Sequence, residues 1–373
     1  MIDHVHFQYN GFLFGILLLS ISKILEKKYL SSAIYFAALL NLKHIFLYVA
    51  PAYFVYMLRN YCFLNVNPGL SVRFSSFSKS NFFKLSSAVF LVFLASFGPF
   101  VLTNQTNQIL DRLFPFKRGL SHAYWAPNFW SLYNGFDKIL ETGLKSFNYE
   151  TKGNGSLTRG LVGNSEHVVL PSISPRTTVL LTGLSVLPCL IKLWRCPGNP
   201  LHFVRCLVIC GLSAFLFGWH VHEKAILMSI IPLSLTAVIW QKEAQLFTIL
   251  SVCGHYSLHP LLFKDFEVPL KFLLFCLHCL YSFSNLSFLF DEERKKTKLP
   301  LLNIVESAYV LGFFFLFLAE ILLFPLCNLH KRLPFLGLLL TSCYCALGVL
   351  YCWVKYYWHF VAMNEFNHKR KTH

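Results

Sequence analysis

Long runs of hydrophobic residues alternate with short polar segments along almost the whole chain. About eleven of these runs approach the roughly 20 residues that cross a hydrocarbon layer as a helix. They occupy positions 11–25, 31–42, 45–58, 83–103, 177–194, 203–219, 225–240, 244–262, 269–290, 303–325 and 334–357. The second and third runs are short enough to form one helix broken around Lys43 and His44. The pattern predicts an all-α polytopic membrane protein with about eleven membrane helices.

The composition agrees with a membrane protein. Of the 373 residues, 55% are hydrophobic and only 13% are charged, and the mean hydropathy is +0.53. Because soluble domains carry about 25% charged residues, a soluble fold is excluded. Most of the 12 cysteines lie inside the hydrophobic runs. They are expected there as small buried residues rather than as disulfides or zinc ligands.

The basic residues that give the chain its net charge of +16 follow the pattern of membrane-topology signals. Basic residues cluster beside hydrophobic runs, at Lys27-Lys28, Arg294-Lys295-Lys296 and His368-Lys369-Arg370-Lys371. Such clusters mark the cytosolic side of membrane helices. The lipid membrane is therefore an expected partner, and nucleic acid is not.

A cytosolic C-terminus orients the remaining segments. Residues 59–82, 291–302 and the basic tail 358–373 then face the cytosol, and the long loop 104–176 faces the lumen. The first half of this loop is aromatic and basic and is predicted to lie on the membrane interface, whereas the second half is predicted to be flexible. Residues 1–373 are expected to form a single transmembrane domain.

The segment Gly218–Lys224 places polar residues between two hydrophobic runs, where they are costly to keep. Further polar or aromatic residues share its predicted lumenal side: Asp3, His4, His6, Gln8, Tyr9, Asn10, Lys43, His44, Lys117, Arg118, His122, Trp125, Asn128, Trp130 and His255. Cations and imidazoles at a membrane surface suit a lipid-linked phosphate, and aromatic rings suit the faces of sugars. A carboxylate would also be needed to remove a proton from an attacking hydroxyl.

Other interpretations of these segments stay open. The residues His220, His222 and Glu223 form a partial metal-ligand set, but the spacing offers no fourth ligand. The same segment could also be a hydrated loop end. Asp3 could belong to a catalytic dyad, to a metal site or to a helix start. A transporter is the competing class of protein, although no related halves with matching interrupted spans are visible.

Four motifs in one order resemble a known family: His6-Phe7-Gln8-Tyr9-Asn10-Gly11, Leu113-Phe114-Pro115-Phe116-Lys117-Arg118-Gly119, Ala126-Pro127-Asn128-Phe129-Trp130 and His220-Val221-His222-Glu223-Lys224. The family is that of the endoplasmic-reticulum, dolichyl-phosphate-glucose-dependent α-1,3-glucosyltransferases of asparagine-linked glycosylation. Residues 121–127 and 254–258 look most like the subgroup that acts on the monoglucosylated oligosaccharide.

The resemblance implies a GT-C-type membrane fold and an inverting glucose transfer. The implied partners are dolichyl phosphate glucose and a dolichyl-pyrophosphate-linked oligosaccharide, with no cofactor and no metal. The implied donor-phosphate and substrate-binding residues are His220, His222, Glu223, Lys224, Lys43, His44, Lys117, Arg118, His6, Gln8, Asn10, Trp125 and Trp130. The enzyme is expected in the endoplasmic-reticulum membrane, with a lumenal active face.

The chain also departs from the family. The acidic residue taken as the family's base lies in a first lumenal loop, beside an Asp-Tyr-Pro-Pro-like motif that this sequence lacks. Asp3 and Glu223 are weak substitutes. We therefore expect a chain that lacks the family's N-terminal spans and is weakly active or inactive. A non-catalytic subunit that binds a lipid phosphate is the alternative.

Overall fold

A computed structural model of the protein describes residues 8–65, 74–113, 119–122, 125–147, 167–262, 264–290 and 298–362. Four candidate site residues fall outside these ranges: Asp3, His6, Lys117 and Arg118. The part of the loop predicted to be flexible falls largely outside them too. Throughout the described residues the regular structure is helical, and β-pairing is limited to two isolated bridges.

The α-helices of the described residues, in chain order, are α1 Asn10–Leu25, α2 Tyr29–Leu42, α3 Ala50–Met57, α4 Lys79–Leu102, α5 Thr106–Leu113, α6 Phe129–Ser146, α7 Pro175–Arg195, α8 Pro200–Phe217, α9 Leu227–Ala237, α10 Gln241–Tyr256, α11 Val268–Leu289, α12 Ile304–Leu318, α13 Phe324–Leu326, α14 Leu329–Arg332 and α15 Leu336–Ala362. The 3-10 segments are His44–Val49, Phe74–Ser76, Glu223–Ile226, His259–Leu261 and Asp265–Glu267. The π-helical segments are Leu58–Cys62 and Ala319–Leu323.

Each hydrophobic run predicted to span the membrane contains helix. Six helical segments in the described ranges are long and apolar enough to cross a bilayer: Lys79–Leu102, Pro175–Arg195, Pro200–Phe217, Val268–Leu289, Ile304–Leu326 and Leu336–Ala362. The apolar helices α1 and α2 are shorter. The chain is thus a multi-pass membrane protein, and the total of about eleven crossings stays a prediction.

The predicted break around Lys43 is present. Lys43 has extended backbone angles, and the 3-10 segment His44–Val49 separates α2 from α3. The chain therefore changes direction at two polar residues, which leaves their side chains available for the contacts described below.

Two predicted segments contain helix that the sequence did not indicate. The predicted loop 104–176 contains α5 and α6, because Asn128 caps the start of α6 and because the buried face of α6 is largely polar. A search for apolar runs of membrane-spanning length passes over such an amphipathic helix. The basic tail was predicted to begin at 358, but α15 continues to Ala362, since the ring of Phe360 is fully buried and packs on His202.

One compact unit of the chain comprises Met1–Pro115, Gly183–Leu212 and Lys355–His373. Its helices α1 and α2 are joined by a reciprocal pair of hydrogen bonds. The hydroxyl of Ser20 donates to the carbonyl of Ser32 at 3.0 Å, and the hydroxyl of Ser32 donates to the carbonyl of Ser20 at 2.8 Å. Since buried hydroxyls need partners, this pair sets the register of an otherwise apolar hairpin.

The other unit comprises Phe116–Thr182 and Ser213–Val354. Its helices α12 and α15 approach closely through two tyrosines. The rings of Tyr309 and Tyr344 stack at 4.8 Å, and the hydroxyl of each donates to the backbone carbonyl of the other at 2.7 Å. Gly348 leaves room for the ring of Tyr309, because a Cβ there would lie 2.7 Å from Tyr309 Cζ.

Candidate active site

Two segments about 100 residues apart meet within the second unit. Ser121 and Val221 form a parallel β-bridge, and the backbone N–H of His220 donates to the carbonyl of Leu120 at 2.9 Å. His220 has a positive φ of 50° and its Nδ1 donates to the carbonyl of Gly119 at 2.7 Å. This pairing brings His122 beside the polar segment Gly218–Lys224.

A buried carboxylate lies between two imidazoles at this junction. Glu223 is fully buried, with Oε1 3.2 Å from His122 Nδ1 and Oε2 2.7 Å from His222 Nδ1. Burial alone would raise the pKa of Glu223, but the hydrogen bonds from His122 and His222 outweigh it and lower the pKa to about 2. Glu223 is therefore ionised at neutral pH, and each Nδ1 acts as a donor toward it.

The segment then turns into α9 through the 3-10 helix Glu223–Ile226. His222 Nδ1 also lies 3.3 Å from the backbone N–H of Lys224, at the helix start. A nitrogen that donates to Glu223 cannot accept from Lys224, and the shorter contact with the carboxylate decides its role. The side chain of Lys224 is itself buried beside these groups.

Helix α6 supports this junction. Trp130 is buried and its Nε1 donates to the carbonyl of Gly218 at 3.0 Å. Asn134 Nδ2 donates to Ser121 Oγ at 2.8 Å, while Asn134 Oδ1 accepts from His167 Nε2 at 2.9 Å. Helix α6 thus contacts both of the segments that the β-bridge joins.

The same helix anchors the chain that leads into α7. Asp137 is fully buried and accepts three backbone hydrogen bonds, from Val168 at 3.1 Å, Val169 at 3.0 Å and Leu170 at 2.8 Å. Burial raises the pKa of Asp137, but these donors lower it by more, so that it lies below its usual value. The anchor fixes the neighbouring His167, which binds Asn134.

A second polar group lies in the first unit, at the break between α2 and α3. Lys43 Nζ donates to Asn10 Oδ1 at 2.6 Å, and Asn10 Nδ2 donates to Gln8 Oε1 at 2.8 Å. Burial and the charge of Lys43 lower the pKa of the adjacent His44. Four residues named from the sequence are therefore gathered here by contacts between the start of α1 and the end of α2.

Comparison with known proteins identifies the family of the chain. The profile of the ALG6, ALG8 glycosyltransferase family matches residues 1–356. The chain belongs to this glycosyltransferase family. It is similar to the dolichyl pyrophosphate Glc1Man9GlcNAc2 alpha-1,3-glucosyltransferase of Mus musculus, with 50% identity over 96% of the chain and 68% of the relative. The Schizosaccharomyces pombe protein of the same name is 44% identical, over 96% of the chain and 70% of the relative.

A relative from Drosophila melanogaster agrees with these two. It is named a probable dolichyl pyrophosphate Glc1Man9GlcNAc2 alpha-1,3-glucosyltransferase and is 47% identical over 95% of the chain and 66% of its own length. By family, the chain is thus a hexosyltransferase, as the sequence motifs indicated.

Two tryptophans that the sequence suggested as substrate-binding residues of this glycosyltransferase are too buried to offer a ring face to a sugar. Trp125 is 7% exposed and Trp130 is 1% exposed, and the carbonyl of Trp125 accepts a hydrogen bond from Ser342 Oγ at 2.7 Å. Trp130 binds Gly218 instead of presenting a ring face. The ring of Trp130 therefore supports the Gly218–Lys224 segment, whereas the backbone of Trp125 is held by Ser342.

The sequence predicts a lumenal position for His122 but does not connect it with Glu223, because no local spacing links positions 101 residues apart. Asn134, Asp137 and His167 were not predicted as site residues. Their signal in the sequence was the series of polar residues at helical spacing from Ser131 to Glu141. That series resembles a solvent-exposed helix face unless the tertiary partners are known.

Proposed function

We propose that this glycosyltransferase moves glucose from dolichyl phosphate glucose to Glc1Man9GlcNAc2 carried on dolichyl pyrophosphate, in an α-1,3 linkage. Family membership and the names of the relatives support the acceptor and the linkage. The observation that carries the proposal is the junction of His122 with Gly218–Lys224, which collects imidazoles and an ammonium group at one place.

We assign the donor phosphate to His122, His220, His222 and Lys224. Their nitrogen atoms can donate to phosphate oxygens and stabilise the negative charge that grows as the phosphate leaves. Glu223 orients the two imidazoles that contact it, because each Nδ1 donates to the carboxylate and each Nε2 is thereby turned away from it.

The transfer is a single in-line displacement. The O3 hydroxyl of the terminal glucose of the acceptor attacks the anomeric carbon of the donor, the carbon–oxygen bond to phosphate breaks, and dolichyl phosphate leaves with the bonding electrons. A β-linked donor then gives an α-linked product, and the hydroxyl proton passes to a base. Glu223 is a poor base, since its pKa of about 2 and its full burial oppose proton uptake. Asp3 stays a weak candidate, and the base is unassigned.

Further substrate contacts are assigned to the second polar group and to basic residues outside the described ranges. Gln8, Asn10, Lys43 and His44 offer amide, ammonium and imidazole groups suited to hydroxyls or phosphate of a lipid-linked sugar. The same role is proposed for residues whose structure is not described: His6, Lys117 and Arg118.

We place the enzyme in the endoplasmic-reticulum membrane, with both polar groups on the lumenal face and the C-terminus in the cytosol. The six apolar helices and the distribution of basic clusters support this arrangement. An acceptor sequence for asparagine-linked glycosylation, Asn104-Gln105-Thr106, follows α4 on the proposed lumenal side. Its glycosylation in microsomes would support that orientation, and its modification by a cytosolic probe would contradict it.

The experiment combines the purified chain with dolichyl phosphate glucose and lipid-linked Glc1Man9GlcNAc2, and mass spectrometry follows the addition of one hexose. We expect addition to this acceptor and not to Man9GlcNAc2. Lys224→Ala should lower kcat/KM for the donor by roughly 100-fold, because a phosphate contact is lost. Lys138→Ala is the matched control, since Lys138 lies on α6 and pairs with Glu141.

The outcomes separate the parts of the proposal. Equal hexose addition to both acceptors, or addition to Man9GlcNAc2 alone, would overturn the assigned reaction. Unchanged donor use by Lys224→Ala would remove that residue from the phosphate site.

A further inference from the structure

Three side chains at the junction offer ligand atoms of the kind that zinc binds. One imidazole nitrogen of His122, one of His222 and a carboxylate oxygen of Glu223 all lie within 4.8 Å of one another. His122 Nδ1 is 3.2 Å from Glu223 Oε1, and His222 Nδ1 is 2.7 Å from Glu223 Oε2. Ligand atoms around a tetrahedral zinc ion, about 2.1 Å from the metal, lie about 3.4 Å apart. Side-chain shifts of about 1 Å would therefore complete the set.

One of these ligand atoms lacks a well-aligned hydrogen bond. Glu223 Oε2 is buried, and its 2.7 Å contact with the donor His222 Nδ1 of the adjacent residue is short but poorly aligned for a hydrogen bond. A buried carboxylate oxygen without an aligned donor is costly. A cation between the carboxylate and the imidazoles would satisfy it.

We propose that His122, His222 and Glu223 bind a divalent transition-metal ion such as Zn²⁺. Two histidines and one glutamate with a fourth position open form a recognised zinc ligand set. The side chains of His122 and His222 are 24% and 36% exposed, so an ion can enter from the side of the imidazoles. Water or a phosphate oxygen would take the fourth position.

The site differs from what the sequence indicated. Spacing within the Gly218–Lys224 segment suggested a partial ligand set, and the family resemblance suggested no metal. His122 supplies the additional imidazole from a position 101 residues away. The proposal depends on this geometry and on no step of the transfer reaction, so either can fail alone.

A cluster of cysteines is the competing place for a metal. The sulfur atoms of Cys189, Cys206 and Cys210 also lie within 4.8 Å of one another, but all three residues are buried in apolar helices. Thiolates there would lose their solvation without a nearby compensating charge. Any experiment must still distinguish sulfur ligands from imidazole ligands.

The test uses the full chain in detergent, purified through a tag that contains no histidine. Zn²⁺ is titrated in competition with a chromophoric chelator, and Co²⁺ replaces it for visible spectroscopy. We expect the wild-type chain to bind one ion at this site. The affinity of the site for Zn²⁺ should fall by roughly 100-fold or more in His122→Ala, His222→Ala and the isosteric Glu223→Gln. His44→Ala is the matched control and should bind as the wild type does.

The proposal is wrong if the wild-type chain binds neither ion, or if the three variants bind as the wild type does. Thiolate-to-cobalt charge-transfer absorption would assign the metal to cysteines and would also overturn it. If a variant fails to fold, the wild type still provides a test. Bound Zn²⁺ should protect His122 and His222 from acylation by diethyl pyrocarbonate, as mapped by mass spectrometry, and equal acylation with and without Zn²⁺ would refute the site.

Discussion

The carboxylate of Asp137 holds the start of the 167–170 segment on α6, and its replacement by asparagine isolates that contribution. In Asp137→Asn, an amide NH2 would face the backbone N–H of Val168, which is now 3.1 Å from a carboxylate oxygen. A buried N–H without an acceptor costs about 1–3 kcal/mol. The bonds to Val169 and Leu170 would change from charged to neutral acceptors, at about 1 kcal/mol each. A local loss of at least about 3 kcal/mol is expected, the lower end of the range of about 3–5 kcal/mol that these contributions give.

Amide hydrogen exchange followed by mass spectrometry measures this loss directly. A local destabilisation of about 3 kcal/mol corresponds to roughly 100-fold faster exchange at residues 168–170. Glu141→Gln is the matched control, because Glu141 lies on the same helix but pairs only with lysine side chains among its described hydrogen bonds, Lys138 and Lys145. Unchanged exchange in Asp137→Asn, or equal acceleration in Glu141→Gln, would refute the assignment.

The same carboxylate predicts an acid dependence. Because the pKa of Asp137 is lowered in the folded protein, its stabilisation is present at neutral pH and is lost as the pH falls through that lowered value. Thermal unfolding measured at decreasing pH should show a smaller acid-induced loss in Asp137→Asn than in the wild type. An identical loss in both proteins would assign the acid sensitivity to other groups.

Two further substitutions test the packing around the site. Gly348→Ala should destabilise the protein by about 1–3 kcal/mol, because the new Cβ would crowd the ring of Tyr309. The control Gly143→Ala has open space and should be neutral or stabilising by up to about 1 kcal/mol. Thermal unfolding in detergent compares the two variants, and equal effects would contradict the packing. Trp130→Phe keeps an aromatic ring but leaves the carbonyl of Gly218 without its 3.0 Å donor, so a loss of about 1–3 kcal/mol is expected in the same measurement. No loss would mean that this hydrogen bond contributes little.

The membrane helices were predictable from the sequence because their main determinant is local. Transfer of an apolar run into a hydrocarbon layer depends on the residues of that run and on its length. All predicted runs contain helix, and the polar break at Lys43 was also visible. The family motifs were contiguous, so they too could be recognised without a structure.

Helix α6 was not predictable on the same basis. Its buried face carries Ser131, Asn134, Asp137 and Glu141, whose burial is possible only because hydrogen-bond or ion-pair partners come from other segments or from the next turn. A polar helix face has the same pattern whether it contacts water or backbone donors. Sequence periodicity alone cannot separate these two cases.

The site itself combines both kinds of information. The Gly218–Lys224 segment stood out in the sequence, since polar residues at a membrane boundary are costly without a role. Only the tertiary structure brought His122 to Glu223 and set the donor direction of His222, because those contacts require closure of a loop of about one hundred residues. Local sequence therefore identified the chemical groups, and long-range packing decided which of them act together.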